Sequence, residues 1–307
     1  MIRMTTPLPS RARARLALAA WLAPAAPMAL AALAMASIVL PVSALAAGAA
    51  QQPPPSSAAG APATLLLEEL TWTELRDEIR GGRTTIIVPI GGTEQNGPHM
   101  TLGKHNARVR ALSQRIAREL GNALVAPVVA YVPEGGVAPP TAHMRFPGTI
   151  TVPEEAFGKV LESAARSFRL HGFRDVVLLG DHGGYQKSLR IVAERLNREW
   201  AGAPIRAHAI EEYYLAEEGA YAQALRQRGY SDAEIGTHAG LADTSLALAI
   251  DPALVRSARL QPGAVGGRAE GVYGDPRRAS AELGQLGADI IVAHTVEAIR
   301  KAVARAR

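Results

Sequence analysis

Two uninterrupted apolar runs limit this chain more than any other feature. They are Thr84-Thr85-Ile86-Ile87-Val88-Pro89-Ile90 and Asp175-Val176-Val177-Leu178-Leu179-Gly180. A strand with one wetted face alternates polar and apolar residues, whereas a strand without alternation is buried on both faces. Stretches with helical spacing supply the covering layers. Val109, Leu112, Ile116 and Leu120 mark a helix over 106–120 that stops at Gly121. Residues 153–170 open with proline and close at His171-Gly172, and Leu189, Val192 and Leu196 line one face of 186–200. A strand-like stretch at 123–132, a shorter one at 205–210 and a mostly helical tail from Pro276 complete the pattern. The predicted class is α/β, a three-layer α/β/α arrangement around a mainly parallel sheet.

The N-terminus does not belong to that fold. Arg11, Arg13 and Arg15 precede a charge-free stretch over 16–45, which ends in the small residues Ala44-Leu45-Ala46. This fits an export signal, residues 1–46, cleaved near Ala46. An uncleaved inner-membrane anchor is the alternative, weakened by Pro24, Pro27 and Pro41. Residues 47–64, rich in proline, serine and alanine, read as a linker. One folded domain over 65–307 is expected, exported to the periplasm and touching membrane only through the signal segment.

Composition then removes whole classes of function. Lys plus Arg number 33 against 28 Asp plus Glu, a formal +5 with no internal basic run, and only 5% of residues are aromatic. No nucleic-acid surface is expected. The absence of cysteine excludes disulfides, thiolate-held zinc and a thiol nucleophile. No G-x-S-x-G elbow or phosphate-binding glycine fingerprint occurs either.

In a parallel sheet the ligand site lies beyond the carboxyl ends of the strands. Three polar segments fit that rule or gather unusual chemistry. Gly91-Gly92-Thr93-Glu94-Gln95-Asn96-Gly97-Pro98-His99, running on to Lys104-His105, follows the first apolar run. Asp181-His182-Gly183-Gly184-Tyr185 follows the second, and His238-Ala239-Gly240-Leu241-Ala242-Asp243-Thr244-Ser245 lies downstream. Four of the eight histidines fall here, each segment also carrying a carboxylate. Imidazole and carboxylate without thiolate make the ligand set of a catalytic Zn²⁺ or Mn²⁺ site. Taken singly, each histidine is better explained as a cap or a hydrogen-bonding loop residue than as a ligand. His171, His208 and His294 read as structural.

Together these segments resemble the creatininase (creatinine amidohydrolase) family. Its members carry Gly-x-x-Glu-Gln-His-Gly-Pro-His after the first strand, Gly-His-Gly-Gly-Asn after a middle strand and a later His-Ala-Gly element. Phe146-Pro147-Gly148-Thr149-Ile150, with His143 upstream, looks like a fourth family element. The resemblance implies a divalent-metal hydrolase of C–N amide bonds in a small-molecule amide substrate, assembled as a homo-oligomer, commonly a hexamer. It also implies ligand positions. Glu94 and His182 match family ligands, Asn96 stands where a histidine is usual, His105 where an aspartate bridges two ions, and Gly184 where some members have a glutamate. Asp243 matches a downstream acid one methylene longer.

The expected centre is therefore one ion, Zn²⁺ or Mn²⁺ with Fe²⁺ as a further candidate, on Glu94, His105 and His182. Asp243 or Asp181 would complete the shell or act as base. A metal-bound hydroxide would attack the amide carbon, and His238 or an acid would protonate the departing nitrogen. Two rival expectations stand beside this one. The first is a catalytically inactive exported member binding a small ligand, suggested by Asn96; the second is a peptide-processing peptidase, suggested by the export signal.

Overall fold

Four parallel strands form one sheet in the order β2-β1-β3-β4: β1 (Thr85–Ile90), β2 (Ala123–Val125), β3 (Asp175–Gly180) and β4 (Arg206–Ala209). The structure is a computed structural model, and it describes residues 64–261 and 267–306. The expected signal at 1–46 and nearly all of the 47–64 linker lie outside those residues. Both apolar runs are strands in which every residue is buried. Their alternation is between two cores. Ile87, Val177 and Leu179 enter one, while Ile86, Val88, Ile90, Val176 and Leu178 enter the other.

Helices cover both faces. α1 (Trp72–Arg80) starts with a capping box in which Thr71 and Glu74 satisfy each other's backbone N–H. α2 (Lys104–Leu120) ends at Gly121, whose φ of 79° is the left-handed stop that glycine supplies. α3 (Glu154–His171) and α4 (Gln186–Glu199) close one face with Phe157, Leu161, Leu189, Val192 and Leu196. On the other face α2 meets α5 (Glu212–Ala216), a π-helical turn (Glu217–Tyr221), α6 (Ala222–Gln227), α7 (Asp232–Ile235), α8 (Leu241–Ile250) and α9 (Ala281–Ala306). The sheet lies between two helical layers, as the apolar strands require.

Two details differ from the sequence expectation. The strand expected over 123–132 pairs only as Ala123–Val125, because Pro127 has no N–H for the ladder. Pairing resumes at one isolated bridge, Ile90 to Val129. Residues 219–236, where the sequence pattern places no element, are largely helical. The tail from Pro276 is mostly helical as expected, a 3₁₀ turn over Pro276–Arg278 followed by α9. Among the described residues no helix is long and apolar enough to cross a membrane.

The sheet register sets up the site. β1 and β3 pair from Thr85↔Asp175 to Ile90↔Gly180, so both strands end level and the segments from 91 and 181 emerge side by side. Buried Tyr185 ties those ends together. Its hydroxyl lies 2.8 Å from Ile90 O and 2.6 Å from Gly91 O, and it accepts from the Asp181 N–H at 3.1 Å.

Candidate active site

Glu94, in the loop leaving β1, is fully buried. Its Oε1 accepts from His105 Nε2 at 2.8 Å, and its Oε2 has no hydrogen-bond donor among the described residues. His143 Nε2 and His182 Nε2 lie 3.3 and 3.5 Å from that open oxygen. His182 follows β3 directly and His143 sits on a 3₁₀ turn, Ala142–Arg145. A fourth side chain, Glu134, comes from the segment after β2. It is 3% exposed, and neither of its oxygens has a donor among the described residues. Each of Glu94, Glu134, His143 and His182 offers one donor atom within 4.8 Å of the others.

That arrangement is unfavourable without a cation. Each unsatisfied buried oxygen costs about 1–3 kcal/mol, more when charged. Burial, and then the neighbouring Glu94 carboxylate, push the Glu134 carboxyl up to about 9. Burial lowers His182 to about 4, so its ring is neutral at ordinary pH. Neutral imidazoles beside orphaned carboxylates suit a divalent ion of the zinc or manganese type. The packing is tight around this group. A Cβ at Gly92 would sit 2.6 Å from Glu134 Oε1, and one at Gly184 would sit 2.9 Å from the His182 ring.

Behind the cluster lies a buried ionic network carried by the first turn of α2. Lys104 and Arg108 are 2% and 3% exposed. Lys104 Nζ donates to Asp243 Oδ2 at 2.5 Å, and the Ala239 N–H donates to the same oxygen at 2.9 Å. Arg108 donates to Asp243 Oδ1 at 3.0 Å and through Nε to both oxygens of Asp181, at 3.0 and 2.8 Å. Asp181 also accepts from Tyr213 Oη at 2.6 Å and from His105 Nδ1 at 2.7 Å. Burial alone would raise the Asp181 carboxyl, yet Arg108 and the His105 bond hold it below its usual range. Burial and Lys104 work against a charged His105, but its bonds to Asp181 and Glu94 prevail and raise it to about 9.

Of the expected ligands, Glu94 and His182 belong to the converging group, and His105 and Asp243 do not. Both nitrogens of His105 already face carboxylates, and both oxygens of Asp243 are held by Lys104, Arg108 and Ala239. Asp181 is engaged in the same way and offers no free oxygen for a base. Asn96 spans the loop, donating to Glu94 O and Thr101 O at 3.0 and 3.1 Å. His238 does reach the pocket. Its Nε2 lies 3.0 Å from both Gln95 O and Gln95 Nε2, and its Nδ1 lies 3.7 Å from Glu94 Oε1. Sequence reasoning does not include Glu134 or His143 in its ligand set, although both belong to this converging group. The available signal is their place between β2 and the Phe146-Pro147-Gly148 element.

A cavity of about 500 Å³ opens over these groups, bounded on its outer side by Tyr214, Glu217, Glu218 and Arg226. Burial pushes the Glu217 carboxyl up to about 7, although Arg108 opposes the shift. Glu211-Glu212-Tyr213-Tyr214, at the start of α5, divides its roles. The two glutamates are largely outward, while Tyr213 is buried on Asp181 and Tyr214 reaches the cavity wall.

A family model described as Creatininase: Creatinine amidohydrolase matches residues 68–299. The creatinine amidohydrolase of Pseudomonas putida is 29% identical over 197 residues, covering 62% of this chain and 74% of that protein. The 3-dehydro-scyllo-inosose hydrolase of Thermotoga maritima is 26% identical over 168 residues, 51% of this chain and 50% of its own. A mycofactocin precursor peptide peptidase of Mycobacterium tuberculosis is 30% identical over 231 residues, 66% and 78%. A crystal structure of creatinine amidohydrolase superposes with TM-score 0.63 at 25% identity, over 78% of this chain and 98% of that one. Related creatininase structures described as Zn-Zn type and as Mn both superpose at TM-score 0.62, at 25% identity and with the same coverage.

Proposed function

This chain belongs to the creatininase family, and from that premise we propose that it is a divalent-metal-dependent hydrolase opening a C–N amide bond in a small substrate. The observation that carries the proposal is the set of three orphaned carboxylate oxygens, on Glu94 and Glu134, facing His143 and His182 inside one small volume. Zinc or manganese suits this donor set, and structures of relatives are described with each. A bound divalent ion supplies Lewis-acid polarisation of the carbonyl and lowers the pKa of water beside it.

The chain's own residues account for the proton movements. Nε2 of His238 lies 3.0 Å from both Gln95 O and Gln95 Nε2; in the tautomer that donates to Gln95 O, Nδ1 keeps its lone pair toward the pocket. Burial, then Lys104, lower this ring to about 3, so it is neutral at ordinary pH. As water adds to the amide carbon, His238 Nδ1 takes the released proton and returns it to the nitrogen as the C–N bond breaks. Gln95 holds that geometry. It is pinned against Gly271, where any Cβ would collide with its amide, and its Nε2 lies 3.1 Å from His143 Nδ1.

Purified protein should bind zinc or manganese and turn over at least one member of a panel of creatinine, other lactams, formamides and short peptides. Failure to bind either ion, with no turnover after loading, defeats the reading. A peptide substrate is the second reading, favoured by the similarity to precursor-peptide peptidases. Cleavage of the peptides but not the lactams selects it. We also propose export to the periplasm, with removal of residues 1–46, and a homo-oligomeric state. Intact mass and light scattering of protein from the periplasmic fraction test both.

A further inference from the structure

We propose that the centre takes a single divalent ion, and that His105 fills the position beside Glu94 where a second ion would bind. This rests on the metal-dependent reading above and goes beyond it. Glu94 could give one oxygen to each of two ions only if both were open. Glu94 has one open oxygen; the other is held by His105 Nε2 at 2.8 Å. The imidazole is clamped from both ends, because Nδ1 meets Asp181 Oδ2 at 2.7 Å. It cannot swing away without stripping a hydrogen bond from each of two buried carboxylates.

The remaining carboxylates behind Glu94 are closed as well. Asp181 accepts from Tyr213, Arg108 and His105, and Asp243 accepts from Lys104, Arg108 and Ala239. Among the described residues one converging donor group is found, and its four side chains suffice for one ion. The charge balance points the same way. Lys104 and Arg108 place permanent cations in the buried space behind His105, where a second divalent ion would meet like charge. A related structure described as Zn-Zn type shows that two ions are compatible with the fold. In this chain one of those charges is supplied by side chains on the first turn of α2.

The test is metal stoichiometry on the whole protein. Chelator-treated protein is reloaded with excess zinc or manganese, desalted, and its metal content measured by mass spectrometry. One ion per chain is the expected result. Two ions per chain overturn this inference and leave the metal-dependent reading standing, whereas none overturns both. Manganese-loaded protein should give the electron paramagnetic resonance spectrum of an isolated ion; the spectrum of a coupled pair counts against the proposal. His105→Asp frees Glu94 and adds a carboxylate, so the folded variant should approach two ions per chain. A folded variant that stays at one removes His105 from the role assigned to it. Should that variant not fold, the wild-type stoichiometry and spectrum decide.

Discussion

At the scale of single residues, the site is assembled against its own stability. Glu134 buries a carboxyl with no donor, which stabilises nothing until a cation arrives. Glu134→Gln should therefore weaken metal binding by roughly 100-fold, since even supporting residues around metals cost 10–100-fold. The same change should leave chelated protein as stable as wild type, or more stable by about 1–3 kcal/mol. Paired urea melts with and without metal separate the two effects. His99 supplies a pH dependence of definite sign. Burial lowers its ring from the usual 6.5 to about 4, and its Nε2 lies 3.0 Å from Thr244 Oγ1. The unfolded chain binds the extra proton first, so this contribution is intact above pH 6.5 and is lost as pH falls toward 4. The loss is about 3 kcal/mol at most, because each pH unit between the folded and unfolded titrations is worth about 1.4 kcal/mol. Unfolding midpoints of chelated protein at neutral pH and near pH 4.5 should show it. His99→Gln should flatten part of the slope, and an unchanged slope would remove His99 as a contributor.

At the scale of elements, much of the chemistry comes from where helices begin. Lys104, His105 and Arg108 occupy the first turn of α2, directly past the loop that carries Glu94. Asp243 lies in the first turn of α8 and so faces both cations. The sequence pattern hides α8 because this helix has no polar face. Residues 241–247 are all buried, which erases the amphipathic period that identifies α2, α3 and α4. Its contact with α9 is close enough to require glycine. A Cβ at Gly284 would lie 1.8 Å from Ser245 O, far inside contact distance. Gly284→Ala should lower stability by roughly 1–3 kcal/mol through overpacking, although alanine is the better helix former by about 1 kcal/mol. Gly219, in the π-helical turn, is the opposite case, with nothing within 4 Å of its added Cβ. Gly219→Ala should be neutral or stabilise by up to about 1 kcal/mol. Thermal melts of the two variants should move in different directions.

At the scale of the whole molecule, binding and folding are linked. The donor atoms come from three separate stretches of chain, after β1, around Glu134 and His143, and after β3, so the unfolded chain has no preformed site. An ion present at 100 times its dissociation constant should stabilise the fold by about 2.7 kcal/mol. For a domain of this size that is a rise in Tm of roughly 5–10 °C, removed by chelator. A Tm insensitive to both zinc and manganese would contradict the linkage.

The sequence by itself determined the layers. β1 and β3 carry the unbroken apolar runs 86–90 and 176–179, and only a sheet covered on both faces can bury such strands, so the α/β class and the place of the ligand site followed from local pattern. Glu94 and His182 were legible for the same reason, each lying just past a strand end. Tertiary structure decided which polar side chains remain free to bind. His105 and Asp243 have the right chemistry, but partners 76 and 139 positions away along the chain occupy them. Glu134 and His143 carry no periodic signal, and they matter because the fold brings their side chains to Glu94 and His182 with the Glu134 oxygens unpaired. Residue type sets what a side chain is able to bind. Whether its donor atoms are already satisfied depends on neighbours that only the folded chain supplies.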